Sequence, residues 1–112
     1  MATRRLDRDR WQGYFDALSK SLPTAKVEIG IVGDRIGDQR EVDWAMWRGA
    51  TYDRESDALD VFVGQLGHQI ARPREIWVDD SAGLKAIEVI DGEGQKQIIR
   101  LRAPLQLPPD VT

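Results

Sequence analysis

An α+β fold is expected of this chain: one N-terminal helix packed on a curved antiparallel meander of five or six strands. Apolar residues recur at helical spacing up to residue 22 and alternate in strand fashion from residue 25 onward. The breaks between the alternating runs are too short for a crossover helix, so neighbouring strands must run antiparallel.

The helix is expected over residues 7–21. Trp11, Phe15, Leu18 and Leu22 make one apolar stripe with Tyr14 beside them. Asp7 suits the N-cap, and Leu6 with Trp11 suits a hydrophobic staple. Pro23 ends the helix, because the residue before a proline avoids the helical region. The first strand is AKVEIGIVG, which places Val27, Ile29 and Ile31 on one face. REVDWAMWRGATY follows, then ALDVFVG with Leu59, Val61 and Val63 on one face. REIWVD, GLKAIEVI and KQIIRLR complete the set. The segments GDRIGD, DRESD, GQLGH, DDSAG and DGEGQ read as the turns between them. Residues 1–5 and the proline-bearing 104–112 read as flexible tails on a single domain spanning 1–112.

Composition narrows the function classes. The 112 residues suit one core, and 41% hydrophobic with 31% charged residues is ordinary for a soluble globular chain. The net charge of −3 leaves no basic surplus to displace counterions from a nucleic acid. There is no cysteine, so disulfides, thiolate metal sites and a cysteine nucleophile are excluded, and a reducing cytoplasm fits. The charged start MATRRLDRDRW is unlike a signal peptide, and no apolar run approaches the roughly 20 residues that span a bilayer.

The stretch GATYDRESDALDVFVGQLGH holds Asp53, Glu55, Asp57, Asp60 and the single histidine, His68. Asp53, Glu55 and Asp57 match the first ligand positions of a calcium loop, but Ala58 stands where that loop needs glycine and Gly64 where it needs a bidentate glutamate. Acidic residues crowd a hairpin tip because they solvate it and form side-chain turns, and that is the better reading here. No metal site is expected. Catalysis by His68 would need Asp53, Asp57 or Asp60 within hydrogen-bond reach. VEIGIVGDRIG fits neither the dinucleotide nor the P-loop pattern, and no nucleophile elbow is present. No cofactor is implied.

The tryptophans raise a different issue. Trp44 and Trp47, three apart, point to opposite faces of a regular strand, and Trp77 points away from Ile76 and Val78. Each outward indole needs a bulge, a cover or a partner. Gly13, Ala17 and Ser21 form a small-residue stripe on the helix, where Gly13 costs about 1 kcal/mol relative to alanine. Lys96, Arg100 and Arg102 on the last strand suit cross-strand ion pairs with Glu88 and its neighbours.

Several short motifs together carry a resemblance. Leu6-Asp7-Arg8 with Trp11 and Phe15 comes first, then Gly49 through Tyr52-Asp53. His68-x-Ile70-x-x-Pro73 and Ile87-Glu88 through Asp91-Gly92 follow. The chain resembles a family of small stand-alone bacterial proteins catalogued only as a domain of unknown function, over residues 5 to 102. Trp44 and the charged Gly33–Asp43 segment depart from it. The resemblance implies a cytoplasmic single-domain protein and supplies no catalytic residues. The function expected is a non-catalytic cytoplasmic interaction domain that self-associates, as a homodimer, through Trp44, Trp47, Trp77, Gly13 and Ala17. A protein partner is expected; a nucleic acid or membrane is not. The alternative is a small-ligand or weakly hydrolytic site near His68 with Asp53, Asp57 or Asp60.

Overall fold

A computed structural model describes residues 3–19, 26–33 and 37–105, with side chains described except at 33, 37–44 and 103–105. The elements run β1 (Thr3–Leu6), a 3-10 turn (Arg8–Arg10), α1 (Trp11–Ser19), β2 (Lys26–Gly33), β3 (Gly37–Asp53) and β4 (Ala58–Val63). β5 (Leu66–Ala71), β6 (Glu75–Asp79), β7 (Leu84–Ile90) and β8 (Lys96–Leu105) follow. The class is α+β with an antiparallel sheet, as expected, but the sheet has eight strands rather than five or six.

Both extra strands were hidden for a reason. β1 lies in what reads as a flexible tail, yet Thr3–Leu6 pairs antiparallel with β6 and Leu6 enters the core. Arg4 grips Asp80 with two hydrogen bonds of 3.0 and 2.7 Å, which ties the N-terminus down. β5 begins inside the GQLGH break. Gly64, with φ +56°, and Gln65 make a two-residue hairpin turn with glycine at its first central position, so the strand resumes at once. At the other end β8 reaches Leu105, where it pairs with Leu84, so the expected C-terminal tail is ordered at its start. The rest of that tail, like Ser21, Leu22 and Pro23 at the expected helix end, falls outside the described residues.

Strand order is β1-β6-β7-β8-β2-β3-β4-β5, which is two meanders joined where β8 meets β2, rather than one. β3 belongs to both ladders in turn. Its first part pairs with β2 from Lys26↔Met46 to Gly33↔Gly37, and its last part, from Trp47, pairs with β4. A register shift between Trp47 and Gly49, with Gly49 at φ +145°, bends the strand at the hand-over. The bend folds the sheet onto itself. In a flat sheet β5 would lie about 19 Å from β8, four strand spacings away. Instead His68 on β5 meets Gln97 on β8 at 2.7 Å.

Inward residues of both halves form one core: Val27 and Ile29, Trp47, Leu59, Val61 and Val63, Ile76 and Val78, Ile87 and Val89, Ile99. α1 plugs the open side beside β3 with Trp11, Tyr14, Phe15 and Leu18, the stripe read from the sequence. Asp7 sits at the N-cap position but makes no side-chain cap bond; its backbone carbonyl accepts from Arg10 N–H at 2.9 Å. At the helix C-terminus Ser19 Oγ accepts from Ala50 N–H at 2.9 Å and donates to Ala50 C=O at 2.6 Å. The helix end thus stands in for a strand along the edge of β3 that β2 has left. No helix among the described residues is long and apolar enough to cross a membrane.

Candidate functional site

The acidic hairpin between β3 and β4 is built to hold a turn. Asp53 Oδ1 accepts from Glu55 N–H at 2.9 Å, the side-chain turn expected of aspartate. Asp57 adopts φ +51°, and its Oδ1 accepts from the Tyr52 hydroxyl at 2.7 Å and from Arg8 Nη2 at 3.0 Å. Its carbonyl accepts from Arg72 N–H at 2.7 Å. The carboxylates therefore turn to separate internal donors.

Above this turn lies a cationic–aromatic stack. The Arg8 guanidinium sits 4.8 Å from the Trp11 ring centroid, and Trp11 meets Tyr52 edge to face at 5.2 Å. Burial, then the hydrogen bond to Asp57, raises the Tyr52 hydroxyl above its ordinary pKa. A shallow cleft of about 340 Å³ opens here, lined by Arg8, Asp9, Tyr52 and Arg54. Its cations are engaged: Arg8 pairs with Asp57 and donates to Pro73 C=O, and Arg54 donates to Asp9 C=O. The cleft pins the 3-10 turn to the hairpin.

His68 lies elsewhere. The β4–β5 register sets His68 across from Val61, facing the core, and Gln69 across from Asp60, facing out. Asp60 accepts from Gln69 Nε2 at 3.1 Å. Gln97 Nε2 donates to Asp91 Oδ2 at 2.9 Å, which fixes the amide and leaves Gln97 Oε1 to accept from His68 Nε2. Asp91 Oδ1 in turn accepts from the Glu93 and Gln95 amides, both at 2.9 Å. This chain joins β5 to the β7–β8 turn. An amide between imidazole and carboxylate orients the ring but cannot relay its proton. The structure brings His68 together with none of Asp53, Asp57 and Asp60.

The expected interface residues separate into two groups. Trp47 is 2% exposed and packs in the core, with no hydrogen-bond partner for its indole N–H among the described residues. Ala17 is 8% exposed, on the packed side of α1. Burial within the chain removes both from any contact surface, a correction whose causes are the β3 bend and the width of the helix face. Gly13 is exposed with open space around it, and Trp77 is half-buried, donating to Glu75 Oε1 at 3.1 Å. Trp44 lies on β3, its side chain outside the described ones. The expected Lys96–Glu88 ion pair forms at 3.4 Å, whereas Arg100 pairs at 3.4 Å with Glu28 on β2 rather than with Glu88 or its neighbours.

An apolar surface does exist, at a place the tryptophans do not mark. Met46, Phe62 and Leu66 are 43%, 44% and 52% exposed at the β4–β5 end of the sheet. Gly64 N–H bonds the Met46 carbonyl at 2.7 Å, which sets β3 against the turn. Arg48, Phe62 and Leu66 share a concavity of about 400 Å³ with the turn and Gly67. The sequence held the signal: if Leu59, Val61 and Val63 face inward, Phe62 faces out.

The family model described as "Family of unknown function (DUF5335)" matches residues 2–110. A relative from Aquifex aeolicus (strain VF5), described as an uncharacterized protein, is 38% identical over 110 residues, covering 96% of this chain and 99% of the relative. No solved structure matches. By both the extent of the family match and the identity to this full-length relative, the chain belongs to the family of unknown function DUF5335.

Proposed function

We propose that the protein is a non-catalytic interaction domain of the cytoplasm that self-associates through the β4–β5 end of its sheet. The observation that carries this reading is the exposure of Met46, Phe62 and Leu66 near one end of the sheet, three of the four large apolar side chains exposed among the described residues. Large side chains left in water together mark contact surfaces more often than isolated ones do. Arg48 beside them suits the mixture of apolar, aromatic and arginine residues found at interface centres. The engagement of Asp53, Asp57, Asp60 and His68 by internal partners supports the non-catalytic part. The cysteine-free composition supports the compartment.

Sedimentation equilibrium across a concentration series tests it. The wild type is expected to show a monomer–dimer equilibrium. The double variant Phe62→Ser, Leu66→Ser is expected to stay monomeric with unfolding stability within about 0.5 kcal/mol per site, since both side chains are exposed. A wild type that is monomeric at every concentration overturns the reading.

A further inference from the structure

We propose that two copies join by adding β5 to β5 in antiparallel fashion across a two-fold axis at His68, making one continuous sheet. The proposal rests on the self-association reading above and names its geometry. β5 ends the strand order, so one of its edges carries no strand among the described residues. The two-residue turn makes Val63 and Leu66 a hydrogen-bonded pair, and alternation assigns His68 and Ile70 to the β4 ladder as well. The backbone groups of Gly67, Gln69 and Ala71 then point away from β4. Ala71 bears this out, because its carbonyl accepts from Gly92 N–H at 3.1 Å, in the β7–β8 turn. Gly67 and Gln69 are exposed, and their outward donors and acceptors are the ones available.

Charge selects the occupant. Exposed edges are commonly guarded by charge or proline. β1, at the opposite end of the order, carries Arg4 and Arg5 side by side. β5 is Leu-Gly-His-Gln-Ile-Ala, without lysine, arginine, acid or proline. Two copies of β5 meet with no opposing formal charge, whereas β1 against β1 would gather arginines. β1 against β5 would be head to tail and would leave a free end for further growth; β5 against β5 closes on itself.

The axis follows from the same accounting. Centred on His68, Gly67 N–H donates to the carbonyl of the partner's Gln69, Gln69 N–H donates to the carbonyl of the partner's Gly67, and symmetry repeats both. Centring on Gln69 would place Gly67 against the partner's Ala71, whose carbonyl is already engaged by its own Gly92. The His68 axis leaves that bond intact and sets Leu66 opposite the partner's Ile70.

Amide hydrogen exchange on the wild type, read by NMR between dilute and concentrated samples, tests the pairing. The Gly67 and Gln69 amides are expected to slow in step with the dimer fraction. Gln69→Pro removes an outward N–H without touching the β4 ladder. It removes a hydrogen bond on each side of the axis, and the dimer Kd is expected to rise roughly 30-fold. Gly67→Lys serves as a second block: a Cβ there meets the Phe62 ring at an ordinary 3.7 Å, so the chain accommodates it, while its charge guards the edge. A dimer that persists in Gly67→Lys, with the Gly67 and Gln69 amides of the wild type exchanging freely, overturns the edge pairing and leaves self-association standing. A wild type that is monomeric throughout overturns both.

Discussion

Asp80 shows how one side chain fastens two elements. It accepts from Arg4 through both carboxylate oxygens and from the Tyr14 hydroxyl at 3.2 Å, so β1, the β6 end and α1 meet at one group. The Arg4 hydrogen bonds, outweighing burial, hold the Asp80 carboxyl below its ordinary pKa. A depressed folded-state pKa gives stability that is present above the unfolded value, about 3.9, and is lost as pH falls through the folded value. Asp80→Asn is therefore expected to lower stability by about 1 kcal/mol at pH 7, a modest figure because the half-exposed Arg4 is screened by solvent. Urea titrations should show the gap between wild type and variant closing below about pH 3.9. At this scale the sequence was a partial guide. Asp53 declares its turn through its neighbours, but the Asp80 contacts, 76 and 66 residues away, do not register in any local pattern.

Among the elements, six strands and the helix stripe follow from periodicity, because each buries one face and exposes the other. β1 and β5 escape for physical reasons. Three of the four β1 residues are exposed, so it carries almost no alternation, and it is a strand because β6 offers it an edge. β5 follows a turn so short that its glycines read as a longer break. The helix starts later than its pattern suggests because Arg8–Arg10 continues the polar side of the stripe while winding as a 3-10 turn. β1 is no dispensable tail. Deleting residues 1–6 removes the Leu6 side chain from the core, the Leu6 carbonyl that accepts from Trp11 Nε1 at 3.2 Å, and the Arg4–Asp80 pair. Burial of one leucine is worth about 1.5–3 kcal/mol, and the uncapped indole adds to that. The truncated chain is expected to lose at least about 3 kcal/mol in chemical denaturation. An unchanged midpoint would return Thr3–Leu6 to the status of a tail.

For the whole molecule, the sequence conveyed the class but not the closure. Alternation tells which face of each strand is apolar. It is silent on β3 changing partners at Gly49, and so on the folding-over that puts Trp47 inside and leaves Phe62 outside. The same limit concealed the place of one indole: alternation leaves Trp47 on either face, and the bend puts it in the core. The order in which the molecule can form depends on β8. β8 lies between β7 and β2, so the two meanders touch through it alone in the strand order. A fragment of residues 1–95 lacks that strand and is expected to show no cooperative thermal transition by circular dichroism; a sharp melt would argue that the halves fold apart.

Synthesis proceeds from the N-terminus, yet β1 waits for β6 and β2 waits for β8, with Val27 meeting Leu101 near the very end. Until β8 is available each meander can pair within itself, but nothing in the strand order holds one against the other. Joining the halves is thus the late step of assembly, and until it occurs the β2 and β7 edges stand open, as exposed edges that chaperones would cover.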